Sequence, residues 1–163
     1  MLVAEHLRKL MERELGFEPT RCQKGLFEEL SAFVMADSPD DWLLVISGYA
    51  GTGKTTAIGA FIKALKTLRQ KFVLMAPTGR SAKVLAGYTG ESAKTIHKQI
   101  YRQKSLKDGI GQFQIDFNKA KETFYIVDEA SLITSGAGAQ SALFGSGNLL
   151  DDLIAYVRQD VSN

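Results

Sequence analysis

Trp42-Leu43-Leu44-Val45-Ile46-Ser47-Gly48-Tyr49-Ala50-Gly51-Thr52-Gly53-Lys54-Thr55-Thr56 decides how the rest of the chain is read. Gly48 to Thr55 fits G-x-x-x-x-G-K-S/T at every fixed position. An apolar run of strand length precedes it and a helical pattern follows, which is the frame in which such a loop cradles phosphate. Gly48, Gly51 and Gly53 let the backbone adopt turns that a side chain would forbid, so that amide N–H groups of Ala50, Thr52 and Thr56 can approach an anion. The loop opens a helix whose free N–H groups and positive dipole end face the same anion. Lys54 is the residue that reaches the β- and γ-phosphates, and the Thr55 hydroxyl is placed to ligate Mg²⁺. The helix carries Ala57, Ile58, Phe61, Ile62, Leu65 and Leu68 on one stripe, with Lys63, Lys66 and Arg69 off it.

With 163 residues, 45% hydrophobic and 23% charged, the chain has the composition of one globular domain with a real core. Its apolar runs are of strand length, and Met1 to Arg8 has acidic and polar residues where a signal peptide needs an apolar stretch, so no membrane segment is expected. A single cysteine, Cys22, cannot close an internal disulfide, which favours a reducing compartment and a cytoplasmic protein. Cys22 falls on an apolar helical stripe and is expected in the core. A net charge of +2 does not by itself imply nucleic acid, so any polyanion must be met by local placement of charge.

In chain order, residues 2 to 15 have helical spacing and end at Gly16, and residues 1 to 19 form a first helix and link. A second helix opens at Thr20 and runs out at Asp37-Ser38-Pro39. Gln23, three residues after Thr20, fits a capping box. Beyond the phosphate loop, Lys71 to Ala76 is a buried strand. With 42–47 it predicts a βαβ unit, a parallel sheet and a right-handed crossover. Pro77-Thr78-Gly79-Arg80-Ser81-Ala82-Lys83 follows at the carboxyl end of that strand, where open α/β sheets keep their ligand loops. Short helices are expected around Val84 to Ala86 and from Thr95 to Tyr101, the latter capped by Thr95 or Ser92. In 102–118, Gly109 and Gly111 suggest a turn, and Phe113, Ile115 and Phe117 alternate as in a half-exposed strand. Phe124 to Val127 is a further strand, 134–148 reads as a mobile loop and 149–157 as an amphipathic helix. Residues 20–163 are expected to form one ATPase domain.

Asp128 and Glu129 complete the chemistry. Phosphate-bound Mg²⁺ needs an acidic partner and the attacking water needs orientation. Asp128, at the tip of an apolar strand, suits the metal side. Glu129 suits the water.

Four segments then carry a resemblance. Gly48 to Thr56, Ala76 to Lys83, Thr95-Ile96-His97 and Val127-Asp128-Glu129-Ala130-Ser131 resemble, in order and spacing, motifs I, Ia, Ib and II of superfamily 1 DNA helicases, closest to the RecD-like branch. The resemblance implies an ATP-dependent enzyme that moves 5′ to 3′ on single-stranded DNA, in settings such as repair and recombination. It implies that Gln23 reads the adenine base, an alternative to its capping role. Pro77, Thr78, Arg80 and Lys83 would touch the DNA backbone, as would Thr95 and His97. Independently, Arg80, Lys83, Lys94, Lys98, Arg102 and Lys104 form a basic excess that suits either phosphate contacts or a solvated helix face.

The chain also departs from that pattern. No G-D-x-x-Q motif follows the last helix, and nothing resembles the motifs of a second RecA-like domain. The expected fold is therefore a three-layer α/β P-loop NTPase of RecA type with a parallel sheet, incomplete on its C-terminal side, which binds and hydrolyses ATP with Mg²⁺ but does not unwind DNA alone. In such helicases the missing motif's strand lies between the phosphate-loop strand and the Asp-Glu strand. The exposed edges would then either close by distortion or pair with a second copy, by dimerisation or exchange of segments. Two other readings of the same loop are a small-molecule kinase and a non-catalytic nucleotide switch.

Overall fold

The computed structural model describes residues 2–36, 42–107, 110–133 and 143–159. The chain divides into two compact units, residues 1–70 and 71–163. Among the described residues no helix is long and apolar enough to cross a membrane.

The first unit holds α1 (Leu2–Leu15), α2 (Arg21–Met35) and α3 (Lys54–Thr67), with α1 packed on both others. Leu7, Leu10 and Met11 of α1 are buried with Phe27 and Leu30 of α2 and Phe61, Ile62 and Leu65 of α3. At about 1.5–3 kcal/mol for each large apolar side chain removed from water, this seam outweighs any helix propensity in the unit. Gly16, at φ 80, turns the chain out of α1, as expected of a residue just past a helix end. Thr20 caps α2 with a complete capping box: Gln23 N–H donates to Thr20 Oγ1 at 3.2 Å, and Thr20 N–H donates to Gln23 Oε1 at 3.0 Å.

Two expectations fail in this unit. Residues 42–49 form no strand, so the βαβ unit expected from 42–47 to 71–76 is not built. Trp42, Leu44 and Ile46 are half-buried while Leu43 and Val45 are exposed, which is the alternation of a strand without the ladder. Strand-like side-chain periodicity is local, but a ladder needs a neighbouring backbone. Cys22 is exposed rather than in the core. The buried face of α2 runs through Gln23, Phe27, Leu30 and Ser31, one position round from it.

In the second unit, β1 (Lys71–Ala76), β2 (Ala93–Thr95) and β5 (Thr123–Val127) form a parallel sheet in the order β2-β1-β5. Parallel pairing sets the carboxyl ends side by side. Ala76 lies opposite Thr95 and Met75 opposite Val127, and the Asp128 N–H donates to Met75 O at 3.0 Å. α4 (Gly79–Thr89) follows β1, and α5 (Ile96–Ile100) follows β2 directly. β3 (Tyr101–Lys107) and β4 (Ile110–Ile115) then form an antiparallel hairpin. Of the expected turn, 108 and 109 lie outside the described residues; the expected half-exposed strand is met in part by β4, beyond which Phe117 is exposed under the Arg102 guanidinium, 5.1 Å from its ring centroid.

α6 (Leu149–Arg158) closes the unit, burying Leu153 and Tyr156 with Met75, Ile96 and Ile100. Of the run expected to be a mobile loop, 134–142 lie outside the described residues. Its end is fastened: Phe144 stacks on Phe113 at 4.5 Å, and the buried Asp152 accepts from Ser146 N–H at 3.0 Å and from the Tyr101 hydroxyl at 2.5 Å.

Candidate nucleotide-binding site

The phosphate loop has the backbone that its glycines foretell. Gly51 and Gly53 lie at φ 79 and 78, in the left-handed region that favours glycine, and Gly53 caps α3 without a side-chain hydrogen bond. The first intrahelical bond runs from Ala57 N–H to Gly53 O at 2.9 Å. The N–H groups of Lys54, Thr55 and Thr56 in the first turn thus have no carbonyl of α3 to meet, the usual basis of an anion site. Lys54 Nζ donates to Gly48 O and, at 2.7 Å, to Tyr49 O, so its ammonium curls back over the loop. Thr52 Oγ1 donates to the same Tyr49 carbonyl at 2.8 Å. Ala50, Thr52 and Thr55 are exposed and Thr56 is half-buried.

Gln23 joins this loop. Its side chain is 5% exposed, and a Cβ added to Gly53 would lie 2.8 Å from Gln23 Nε2. Capping and proximity to the loop coexist, because Oε1 serves the Thr20 N–H while Nε2 faces Gly53. The concave surface lined by Arg8, Arg13, Phe17 and Lys24 contains none of the expected site residues.

At the carboxyl edge of the parallel sheet, Asp128 is half-buried and its Oδ1 accepts from Glu129 N–H at 2.9 Å. Glu129 is exposed and sits at φ 54, ψ 37, left-handed for a residue with a side chain. Ser81 Oγ donates to Glu129 Oε2 at 2.5 Å. Ser81 is three residues past Thr78, which caps α4 by accepting from Ser81 N–H at 3.1 Å, and the two hydroxyls are 2.7 Å apart.

The expected DNA-contacting residues fall into two groups. Thr78, Arg80 and Lys83 are exposed at the start of α4, after a half-buried Pro77, and the basic residues Lys94, Lys98, Arg102 and Lys104 are exposed too. Thr95 caps α5, accepting from Lys98 N–H at 3.1 Å. His97 instead packs against Phe144 at 5.0 Å and Tyr101 at 5.6 Å, and burial lowers its pKa below the ordinary imidazole value. The Ser81 contact with Glu129 was not legible in the sequence, because 48 residues separate the partners. The one local hint is the short spacing from Thr78 to Ser81.

The AAA domain family profile matches residues 30–142, most of the chain. The chain belongs to the AAA domain family. This AAA domain is 33% identical over 118 residues to the ATP-dependent RecD2 DNA helicase of Deinococcus radiodurans, an alignment covering 71% of the chain and 15% of the relative. It is 34% identical over 100 residues to the uncharacterized protein MJ1519 of Methanocaldococcus jannaschii, covering 55% of the chain and 8% of that protein. The chain thus spans a small part of the length of these relatives. No solved structure matches. The RecD-like resemblance of the four motifs and the α/β P-loop class stand with these matches, and this AAA domain is a nucleotide-binding, helicase-like domain.

Proposed function

We propose that the domain binds ATP with Mg²⁺ and hydrolyses it, and that in a complete helicase this turnover drives 5′-to-3′ movement on single-stranded DNA and unwinding. The observation that carries the reading is the phosphate loop, with Gly51 and Gly53 left-handed and Lys54 opening α3. Lys54 exchanges its hold on the Gly48 and Tyr49 carbonyls for phosphate oxygens, a stronger charge-assisted pairing. Mg²⁺ takes hard oxygen ligands, and the Thr55 hydroxyl and Asp128 carboxylate are of that kind. When bound, the ion neutralises charge on the phosphates. Glu129 accepts a hydrogen bond from the attacking water and orients it for in-line displacement, and Lys54 steadies the charge that develops. Gln23 Nε2 reads the adenine edge, while Thr78, Arg80, Lys83 and Thr95 hold the DNA backbone. Unwinding calls for a second RecA-like domain.

Glu129 beside a metal-side Asp128 favours water as the acceptor over a small molecule. The test is ATP turnover with and without single-stranded DNA, measured on the natural polypeptide that carries these residues, with Glu129→Gln as the blank. Stimulation by DNA that vanishes in Glu129→Gln is the expected result. Turnover indifferent to DNA would overturn the helicase reading, and full turnover by Glu129→Gln would overturn the assignment of Glu129.

A further inference from the structure

We propose that Asp152 is a positioning residue: through Tyr101 on one side and Phe144 on the other, it seats the His97 imidazole so that its ring nitrogens meet the phosphates of a bound single strand. The inference rests on the function proposed above and adds to it what holds the strand-binding corner after β2 in shape.

Asp152 is 3% exposed, and a carboxylate is costly to bury unless its oxygens are served by donors. Here the donors lead to both walls of one ring. Oδ2 accepts from the Tyr101 hydroxyl at 2.5 Å and from Ser146 N–H at 3.0 Å. Ser146 follows Phe144 by two residues. The turn that joins them is tied down by Gly145 N–H donating to Phe113 O at 2.9 Å and Gly147 N–H donating to Phe144 O at 2.8 Å. Gly145, at φ 46, lies so close to the carboxylate that a Cβ there would run into Asp152 Oδ2. One buried group thus fixes the Tyr101 and Phe144 rings, which are 5.3 Å apart and lie 5.6 Å and 5.0 Å from the His97 ring.

The imidazole itself is held by ring packing. Among the described residues none hydrogen-bonds it, and no side-chain nitrogen or oxygen is both buried and without a partner, so its nitrogens open on solvent. Burial lowers its pKa, so at neutral pH the ring is uncharged, with one nitrogen to donate and the other to accept. His97 follows Thr95, the last residue of β2, by two residues, and Lys94 and Lys98 are exposed in the same stretch. A phosphate drawn in by these ammonium groups meets a donor whose freedom was given up on folding rather than on binding.

The experiment measures the affinity of the natural polypeptide and its variants for a fluorescently labelled single-stranded oligonucleotide by anisotropy. His97→Ala should weaken binding about fivefold, the equivalent of one hydrogen bond. Asp152→Ala, which removes both bonds, should weaken it about threefold or more, and so should Phe144→Leu, which leaves the carboxylate in place should Asp152→Ala fail to fold. Phe144→Tyr, which keeps the ring, should match the parent. In a His97→Ala background Phe144→Leu should cost nothing further, a coupling that a merely structural loss does not show. Parent affinity in Phe144→Leu or in His97→Ala, or an equal loss from Phe144→Leu with and without His97, would overturn the positioning while leaving the proposed ATP hydrolysis standing. Failure of the parent itself to bind the oligonucleotide would instead overturn the function on which the inference rests.

Discussion

Gln23 and Gly53 lie against each other at the mouth of the phosphate loop, so closely that a methyl group on Gly53 would come 2.8 Å from Gln23 Nε2. Gly53 is required twice, for its left-handed φ of 78 and for the room it leaves. Gly53→Ala should lower stability by about 1–2 kcal/mol from the backbone alone, with the steric clash in addition. It should also weaken nucleotide binding by displacing the loop. Chemical denaturation and titration with a fluorescent ATP analogue would check both, and unaltered affinity would show that the loop tolerates the shift.

The capping role of Gln23 and its proposed base-reading role separate by comparison with its partner. Thr20→Ala and Gln23→Ala each remove half of the capping box and should each cost about 1 kcal/mol. Only Gln23→Ala should erode the preference for ATP over GTP. Equal preference in both variants, measured by competition binding, would leave Gln23 as a cap alone.

The aromatic cluster around His97 sets a pH dependence. Burial among Tyr101 and Phe144 lowers the His97 pKa, so the folded state binds its proton less readily than the unfolded state does. The contribution to stability is therefore full above the ordinary value near ~6.5 and is lost as pH falls below it toward the depressed folded value. His97→Phe, which keeps a ring in place, should flatten the denaturation midpoint between about pH 7 and pH 5 relative to the parent. Parallel pH profiles would mean that other groups set the slope.

What the sequence disclosed divides along the line between local and distant causes. α1, the Thr20 box, the loop glycines and β1 were legible because caps, φ preferences and apolar spacing act over a few residues. The strand expected at 42–47 was not, because its alternation is written in the side chains while its ladder depends on another segment. Cys22 was misplaced because a helical stripe turned by one position selects Gln23, Phe27 and Leu30 instead. The pairing of β3 with β4 was obscured by polar residues on both strands, and its anchors, Phe144 on Phe113 and Tyr101 on Asp152, span long stretches of chain. The site divides in the same way: the phosphate loop and Asp128-Glu129 could be read from motif spacing, whereas the packing of His97 and the Ser81 contact with Glu129 required the fold.

Tyr101 and Asp152 provide a test of how the hairpin and α6 are held. Asp152 is 3% exposed, and its Oδ2 accepts from the Tyr101 hydroxyl and from Ser146 N–H. Tyr101→Phe leaves the carboxylate with one fewer donor in a buried place and should cost about 1–3 kcal/mol. Burial first, and then the hydrogen bond and charge of Asp152, push the Tyr101 pKa well above its ordinary value near ~10. The associated stability is full below that value and lost as pH rises above it, so the penalty of Tyr101→Phe should be constant at neutral pH and shrink in strong base. Denaturant midpoints at several pH values would show this, and a neutral substitution would mean that Ser146 alone satisfies Asp152.

The unladdered run before the phosphate loop is where self-association is expected. Leu43 is 59% and Val45 77% exposed on a stretch with strand alternation, and 42–49 form no strand. Backbone of this kind, carrying apolar side chains, is a template for another strand. The isolated chain should therefore associate as concentration rises. Val45→Lys, which puts a charge where an incoming strand would pack, should hold it monomeric without disturbing the three-helix core, because Val45 contributes little to that core. Light scattering over a concentration series distinguishes the cases. Association equal in parent and variant would place the contact elsewhere, and a parent that stays monomeric throughout would show that the exposed run does not recruit a second copy.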